Sequence, residues 1–274
     1  MKKKTKIILL ILTISFLGIV FVPIWAFFIE PNLLMVRRLE IKDPALKGIR
    51  VAYLTDLHLC QDGKDYALNL VKKVNEQNPD IILLGGDYIV VQIYKNKTMK
   101  PEDIFKILSG LKAKHGIFMV MGNHEASRQA YKKITQSIKN TDIKLLQNVN
   151  TKLQIDGKTI YLVGIGDFSN NSHNISRAFE GVDSTPVIAF THSPDIFPYI
   201  PDYVNITFAG HTHGGQVYLP FYGPLEKPTH LLGKYIKGIY TEGKKKMYVS
   251  SGIGNSHYKI RLFNIPEIVL ADFK

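Results

Sequence analysis

The longest apolar stretch of the chain lies at its amino-terminal end. Residues 7–29 carry no charged side chain, and they follow a short run rich in lysine: Lys2, Lys3, Lys4 and Lys6. About 20 apolar residues are enough for a helix to cross the hydrocarbon core of a bilayer. Trp25 lies near the end of the stretch, at the level that aromatic side chains favour in membranes. No small-residue cleavage site follows, so we predict an uncleaved membrane anchor over residues 1–30, with a buried core helix as the alternative.

Strand-like and helix-like patterns alternate in the first part of the body. Residues 49–54, 81–84 and 117–121 are short, mostly apolar runs, which is typical of buried strands. Residues 65–78, 101–112 and 128–139 have apolar positions at helical spacing. Pro79 ends the first of these helices, and Pro101 begins the second. The pattern therefore predicts the order β-α-β-α-β.

The pattern changes after about residue 150. Residues 151–155 and 159–165 flank Asp156-Gly157, a typical hairpin turn. Further strand-like runs follow at 186–190, 204–208, 248–249 and 268–270. We predict an α/β (α+β) fold in which two packed mixed β-sheets are flanked by helices. The predicted segments are the anchor at 1–30, a linker at 31–48 and one domain at 49–274.

Charge adds little about location. The net charge of +12 fits a domain that lies against anionic lipid or receives an anionic substrate, although a solvated lysine-rich surface explains it equally well. The lysines before the apolar stretch favour a cytoplasmic amino terminus, whereas Arg37 and Arg38 after it favour the reverse. The side of the membrane on which the domain lies therefore stays open. The single cysteine, Cys60, rules out an internal disulfide framework.

Oxygen- and nitrogen-bearing side chains follow five of the predicted strands. Each is a donor type suited to a divalent transition metal, and a single such residue would more often be a turn or cap residue. Five strand ends that all present ligand-type residues are hard to explain by packing alone. The set is Asp56, His58, Asp87, Asn123, His124, His192, His211 and His213.

These residues stand in a pattern that resembles the calcineurin-like metallophosphoesterase family. The ordered motifs of that family are D-x-H, G-D, G-N-H-[DE], a lone H and G-H-x-H. Here they read Asp56-Leu57-His58, Gly86-Asp87, Gly122-Asn123-His124-Glu125, His192 and Gly210-His211-Thr212-His213. All five are present in order, and they span most of the predicted domain.

The resemblance implies a site with two divalent metal ions. Asp56, His58 and His213 would hold one ion, and Asn123, His192 and His211 the other, with Asp87 bridging them. His124 would be the catalytic histidine, and Glu125 would either orient it or cap the next helix. Manganese is the metal we expect, while zinc and iron fit the same donors.

The implied activity is hydrolysis of a phosphodiester or pyrophosphate by a metal-activated hydroxide. Glycine-rich turns such as Ser250-Ser251-Gly252, together with the anchor, resemble a membrane-associated bacterial branch of the family. That branch includes phosphodiesterases and UDP-2,3-diacylglucosamine pyrophosphatase-type enzymes of lipid A synthesis. We therefore expect a single-pass protein of the bacterial cytoplasmic membrane with an anionic, lipid-linked phosphoester substrate and membrane lipids as partners.

Other functions stay open at this stage. The positive charge would also suit a nuclease or a phosphatase of broad specificity. However, the body shows no basic-aromatic stripe for stacking on single strands, and we expect no nucleic-acid partner. A non-catalytic metal-binding scaffold would be expected to have lost ligands, and every motif is complete. The sequence does not indicate an oligomeric state.

Overall fold

The protein begins with a long exposed helix. The structure, a computed structural model, describes residues 3–90, 98–183, 186–229 and 233–274, apart from the side chains of residues 14, 15 and 17. Helix α1 (Lys3–Ile24) continues through a π-helical turn over Trp25–Ile29 and a 3-10 turn over Glu30–Asn32. Its most apolar window has a mean hydropathy of 2.9 and is not buried at all. The helix is thus long and apolar enough to cross a membrane.

Within the described residues, the strands form two six-stranded sheets and a small hairpin. The first sheet has the order β1-β14-β2-β3-β4-β5. Its strands are β1 (Met35–Ile41), β2 (Arg50–Leu54), β3 (Ile81–Leu84), β4 (Ile117–Met119), β5 (Ile143–Leu145) and β14 (Glu267–Phe273). Strands β2 to β5 are parallel to one another, and β14 is antiparallel to β2 but parallel to β1.

The second sheet has the order β12-β13-β9-β8-β7-β6. Its strands are β6 (Val149–Ile155), β7 (Lys158–Gly164), β8 (Val187–Phe190), β9 (Ile206–Ala209), β12 (Gly238–Glu242) and β13 (Lys245–Val249). The four inner strands are parallel, and the two edge strands are antiparallel to their neighbours. The hairpin consists of β10 (Tyr218–Leu219) and β11 (Gly223–Pro224).

Three apolar layers hold the sheets and helices together. The helices are α2 (Lys64–Asn75), α3 (Pro101–Leu108), α4 (Arg128–Ser137) and the short α5 (Ile175–Ala178). In β2, Ala52 and Leu54 pack toward α2 to α4, while Val51 and Tyr53 pack between the two sheets. A third layer covers the outer face of the second sheet with α5 and a 3-10 segment at Pro194–Tyr199. Because β2 is covered on both faces, it is apolar at consecutive positions rather than at alternate ones. The predicted fold class, two packed mixed sheets flanked by helices, is confirmed.

Some local details differ from the sequence prediction. The segment 31–48, predicted as a linker, contains β1, which pairs with β14 along its whole length. Strand β1 has only one buried residue, which gives little periodic signal, and its partner lies more than 200 residues away. Strand β5, a three-residue edge strand, is too short to give a periodic signal. Helix α2 ends at Asn75, before the glutamate, glutamine and asparagine that precede Pro79.

The strand register shows where the amino-terminal helix meets the domain. Met35, the first residue of β1, pairs with Glu267, and Val269 pairs with Tyr53 near the end of β2. The start of β1 therefore lies at the same sheet edge as the carboxyl ends of the parallel strands. Helix α1 consequently meets the domain at the edge where ligand-type residues follow the strands.

We propose that the folded unit starts near Glu30 rather than at residue 49. A chain that begins at residue 49 loses β1 and, among other buried groups, the aliphatic side chains of Leu34, Ile41 and Leu46. Each apolar side chain of this size contributes roughly 1.5–3 kcal/mol. We expect its free energy of unfolding in urea to be lower by about 5 kcal/mol or more than that of a chain beginning at residue 30. Equal unfolding midpoints would restore the boundary at 49.

Candidate metal centre

The eight predicted site residues lie together at one edge of the two sheets. Those after β2, β3 and β4 come from the first sheet, and those after β8 and β9 come from the second. Carboxyl ends of parallel strands share an edge, so residues far apart in sequence are brought into contact there. Three overlapping groups have ligand atoms within 4.8 Å of one another: Asp56 with His58 and His213, His58 with Asp87 and His124, and Asp87 with His192 and His211.

The first cluster joins Asp56, His58 and His213. The Nε2 atoms of His58 and His213 are 3.1 Å apart, and His213 Nε2 lies 3.5 Å from Asp56 Oδ1. All three side chains are buried. His58 Nδ1 faces the carbonyl oxygen of Ile89 at 3.1 Å. If the ring proton sits there, Nε2 presents a lone pair to the cluster.

The second cluster joins Asn123, His192 and His211. Asn123 Oδ1 lies 2.9 Å from both His192 Nε2 and His211 Nδ1, and these two nitrogens are 3.1 Å apart. His192 Nδ1 faces the carbonyl oxygen of Gly85 at 2.9 Å, which directs Nε2 toward the cluster. The second cluster therefore repeats the arrangement of the first.

Asp87 lies between the two clusters. Its Oδ2 is 3.5 Å from His58 Nε2 and 3.2 Å from His192 Nε2. Its other oxygen, Oδ1, accepts a hydrogen bond of 2.9 Å from the backbone N–H of His124. This bond fixes the carboxylate plane, so that Asp87 can reach both clusters.

Backbone strain is concentrated at these residues. Asp56, His58, Asp87, His211 and His213 all have positive φ, between 43° and 70°. Residues other than glycine seldom adopt this backbone conformation, and each residue that does so costs of order 1–3 kcal/mol of folding free energy. Five such residues at one site indicate that the surrounding fold holds the donors in place for binding rather than for stability.

Two glycines permit the close approach of the loops. A Cβ atom at Gly122 would overlap Asp87 Oδ1, and one at Gly210 would overlap Thr55 and the carboxylate of Asp56. The glycines of the G-N-H and G-H-x-H motifs are therefore required by space around the two carboxylates.

Burial and neighbouring charge together set the protonation of the donors. Burial lowers the pKa of His58 to about 3 and that of His211 to about 4, and the neighbouring histidines add to both effects. Burial also raises the pKa of Asp56 to about 6. Most imidazoles of the site are therefore neutral at pH 7, as metal ligation requires.

Asp87 and His192 form the exception. Burial alone would raise the pKa of Asp87, but the charge and hydrogen bond of His192, with other histidines, hold it well below its usual range. Burial would likewise lower the pKa of His192, yet Asp87 raises it well above the ordinary value. In the absence of a metal ion, a proton on His192 therefore neutralises the buried carboxylate.

The buried Glu125 carboxylate links the loop after β3 to the loop after β4. Its Oε2 accepts hydrogen bonds from the N–H groups of Asp87 (2.9 Å) and Gly122 (2.8 Å), and its Oε1 accepts from those of Tyr88 (2.9 Å) and Ile89 (3.3 Å). The side chain is completely buried. The bond from the Gly122 N–H caps the 3-10 turn at Asn123–Glu125, so Glu125 has a capping role in its own turn rather than in the next helix, and its other bonds hold the backbone around Asp87.

His124 lies above the clusters at a small open pocket. Its Nε2 is 3.9 Å from Asp87 Oδ2, and its ring meets that of His58 edge-on with centroids 4.6 Å apart. The pocket has a volume of about 140 Å³, and His124 shares its wall with side chains that no motif revealed: Gln216, Glu226, Pro228, Ser256 and His257. Of the residues around them, only the histidines and glycines of the motifs gave a sequence signal.

The donor set fits divalent cations. His58 Nε2 lies 3.1 Å from His213 Nε2, and His192 Nε2 lies 2.9 Å from the amide oxygen of Asn123, so that groups able to accept a hydrogen bond face one another at about 3 Å. Such a buried arrangement is repulsive unless a cation or a proton lies between the acceptors. Histidine, aspartate and asparagine together suit manganese, iron and zinc.

Comparison with known proteins agrees with this geometry. The model of the calcineurin-like phosphoesterase family matches residues 49–221. UDP-2,3-diacylglucosamine pyrophosphatase LpxG of Chlamydia muridarum is 28% identical, over 94% of this chain and 96% of that protein. Phosphodiesterase YaeI of Escherichia coli is 29% identical over 81% of each chain. YkoQ of Bacillus subtilis, an uncharacterized metallophosphoesterase, is 28% identical over 82% of this chain and 83% of that protein.

Replacing Glu125 with glutamine tests its role in holding the site. The amide group of glutamine would face N–H donors that now bond to a carboxylate oxygen, and each unsatisfied buried donor costs roughly 1–3 kcal/mol. We expect Glu125→Gln to lower the free energy of unfolding by about 2–4 kcal/mol and to weaken manganese binding. Glu102→Gln, at an exposed position of α3, is the control. If both variants unfold and bind manganese alike, Glu125 does not hold the site.

Metal binding should release a proton at pH 7. A cation that binds His192 Nε2 must displace the proton that Asp87 keeps there. Calorimetric titration with manganese in two buffers of different ionisation enthalpy should give heats that correspond to about one proton released. His192→Asn should remove this difference between the buffers. Identical heats for the unaltered chain in both buffers would show that His192 is neutral before binding.

Proposed function

The chain belongs to the calcineurin-like phosphoesterase family, and we propose that it cleaves a lipid-linked pyrophosphate or phosphodiester at the surface of a bacterial cytoplasmic membrane. As a member of that family it is a metal-dependent phosphoester hydrolase with a phosphate-containing substrate. The lipid-linked substrate, the membrane span and the individual residue roles are the proposed part.

The proposed ligand assignment follows the two clusters. Asp56, His58 and His213 bind one ion, Asn123, His192 and His211 bind the other, and Asp87 contributes one carboxylate to both. We propose manganese as the native metal, since the mixed nitrogen and oxygen donors fit it. When bound, two divalent ions supply positive charge for the phosphoryl oxygens and make a water molecule nucleophilic at neutral pH.

The remaining residues orient the substrate and move a proton. His124 lies at the pocket wall above Asp87, where its Nε2 can donate a hydrogen bond to the phosphoryl group and a proton to the leaving oxygen. Asn123 provides an uncharged oxygen, which leaves the site more electropositive than a carboxylate would. Glu125 fixes the position of Asp87 relative to Gly122 by accepting hydrogen bonds from their backbone N–H groups.

The observation that supports a lipid-linked substrate is a cavity beside the metal centre. The cavity has a volume of about 250 Å³ and extends from His58 to Pro31 and Asn32 at the end of the amino-terminal helix. Leu57, Leu59 and Ile253 form its apolar wall. Burial of each methylene group contributes about 0.8 kcal/mol, so a cavity of this kind favours part of an acyl chain.

The position of the cavity at the end of α1 also relates it to the proposed membrane. Since it opens between the end of α1 and the metal clusters, a phosphate at the metals and a chain in the cavity would belong to one molecule that stays in the bilayer. The similarity to LpxG supports UDP-2,3-diacylglucosamine as the first substrate to test. That substrate is made in the cytoplasm and would place the domain on the cytoplasmic side.

A second candidate is a phosphodiesterase of broad specificity. The similarity to YaeI favours this alternative. It makes no use of the apolar cavity, so the two candidates differ in how the enzyme responds when the cavity is filled.

Filling the cavity separates these candidates. We expect manganese-loaded protein to hydrolyse UDP-2,3-diacylglucosamine, and Asp87→Asn and His124→Ala to lose this activity. Cys60→Trp, which places an indole in the cavity, should reduce kcat/KM for the acylated substrate about tenfold and leave hydrolysis of bis(p-nitrophenyl) phosphate unchanged. Leu68→Trp, at an exposed position of α2 outside the cavity, is the matched control.

The outcomes distinguish the two functions. Equal activity of Cys60→Trp and the unaltered chain on the acylated substrate would exclude the cavity as an acyl site. Hydrolysis of the soluble diester alone would support the broad phosphodiesterase.

A further inference from the structure

The amino-terminal helix is joined to the domain by direct hydrogen bonds. The carbonyl oxygen of Ala26 accepts from the N–H of Arg261, and the Glu30 carboxylate accepts from the N–H groups of Phe263 and Asn264. Trp25 Nε1 donates to the same carboxylate at 2.6 Å. Glu30 is buried. If α1 spans the bilayer, the loop at 261–264 must therefore lie at the membrane surface.

A second segment is joined to that loop. Val217 forms a β-bridge with Leu262, and the N–H of Tyr218 donates to the carbonyl oxygen of Leu262 at 2.9 Å. Tyr218 begins β10, so the hairpin β10–β11 extends from the loop that holds the end of α1. The hairpin thus has a fixed position relative to the anchor.

The hairpin exposes large apolar side chains at its tip and directly after its second strand. Phe221 is fully exposed, and Tyr222 and Leu225 are each more than half exposed. Phe263 and Tyr258, on the adjoining loop, are each 58% exposed. Elsewhere in the described domain, Tyr199 has a comparable exposure of 60%, but its ring stacks on that of Phe168. Apolar groups clustered in this way indicate a surface that another apolar phase covers.

The backbone at Phe221 adds an independent observation. Its φ is 65°, in the left-handed region where a turn would ordinarily place glycine or asparagine. A phenylalanine costs conformational energy there, and its exposed ring gains no packing within the domain. The Phe221 ring therefore offsets none of this cost by packing within the domain.

We propose that Phe221, Tyr222 and Leu225 insert into the headgroup–acyl boundary of the bilayer that holds α1, as a second membrane contact. The aromatic rings are suited to this depth, and Lys227 and Lys259 on the adjoining segments suit anionic headgroups. This inference rests on the proposed membrane span of α1, but it requires no particular substrate.

The contact would determine where the active site opens. Glu226 and Pro228 follow the hairpin directly and line the pocket over the metal clusters. Insertion of the tip therefore turns this pocket toward the headgroups. Together with the end of α1, the tip would give the domain two points of attachment and one fixed orientation.

Spin labels report the depth of the tip directly. The full chain, with Cys60 replaced by serine, is reconstituted into phosphatidylethanolamine–phosphatidylglycerol vesicles and labelled at Phe221→Cys. The control label is at Asp156→Cys, in the β6–β7 turn at the opposite sheet edge. Power saturation then compares access of oxygen, which concentrates in lipid, with access of a water-soluble nickel chelate.

The proposal expects the label at 221 to lose access to nickel and gain access to oxygen, relative to the label at 156. Equal access of nickel to both labels would overturn it. Flotation of the vesicles provides a separate readout, because a chain that fails to float has no membrane span, and the second contact then fails with it. A floating chain with a water-exposed tip overturns the second contact alone and leaves the proposed hydrolase intact.

The serine variant of the tip checks that the label itself does not cause the result. In a chain with Phe221→Ser and Tyr222→Ser, a label at Phe263→Cys should become more accessible to nickel than in the unaltered tip. Tyr203→Ser, an exposed tyrosine before β9 at the far edge, should leave that label unchanged. An identical response to both variants would count against the proposal.

Discussion

The Asp87 carboxylate is the group on which the rest of the site depends. One of its oxygens lies within 3.5 Å of imidazole nitrogens from both sheets, and the other is fixed by the N–H of His124. A buried negative charge of this kind is costly unless positive charge lies beside it. In the absence of a metal ion, a proton on His192 supplies that charge, and in the proposed ligand assignment two divalent ions would supply it instead. A proton or a cation beside Asp87 is therefore part of what makes this buried geometry favourable.

The two-sheet architecture supplies what this arrangement needs. Donors close to Asp87 come from loops after strands in different sheets, and the apolar layer between the sheets fixes the distance between those loops. Within the first sheet, Glu125 ties the loop after β3 to the loop after β4 by four backbone hydrogen bonds. A fully buried carboxylate thus determines the separation of the loops that carry Asp87 and Asn123.

The sequence predicts the site better than it predicts the frame around it. Strand ends marked by Asp56, Asp87 and His211 were identifiable because motif chemistry and local periodicity coincide there. Strand β1 was not, since its pairing with β14 depends on residues from the other end of the chain. Buried Glu30 gave no signal either, because it satisfies backbone groups rather than forming a motif. Local pattern finds residues whose type is dictated by chemistry, and it misses those whose role arises only in the folded state.

The loop at residues 261–264 contacts both the end of the amino-terminal helix and His213 of the candidate metal site. Arg261 donates to the carbonyl oxygens of Ser251 and His213, while its own backbone N–H binds Ala26. The side-chain amide of Asn264 also donates to the carbonyl oxygen of His213, and its backbone N–H donates to the Glu30 carboxylate. Helix α1 is thus not a tether on a flexible linker, because its end is built into the shell around His213. If α1 spans a membrane as proposed, a domain held in this way would meet molecules of the bilayer in a constant orientation, and the membrane itself would limit which phosphoesters reach the site. Selection among substrates would then depend on the depth of the scissile phosphate below the headgroup surface as much as on contacts inside the pocket.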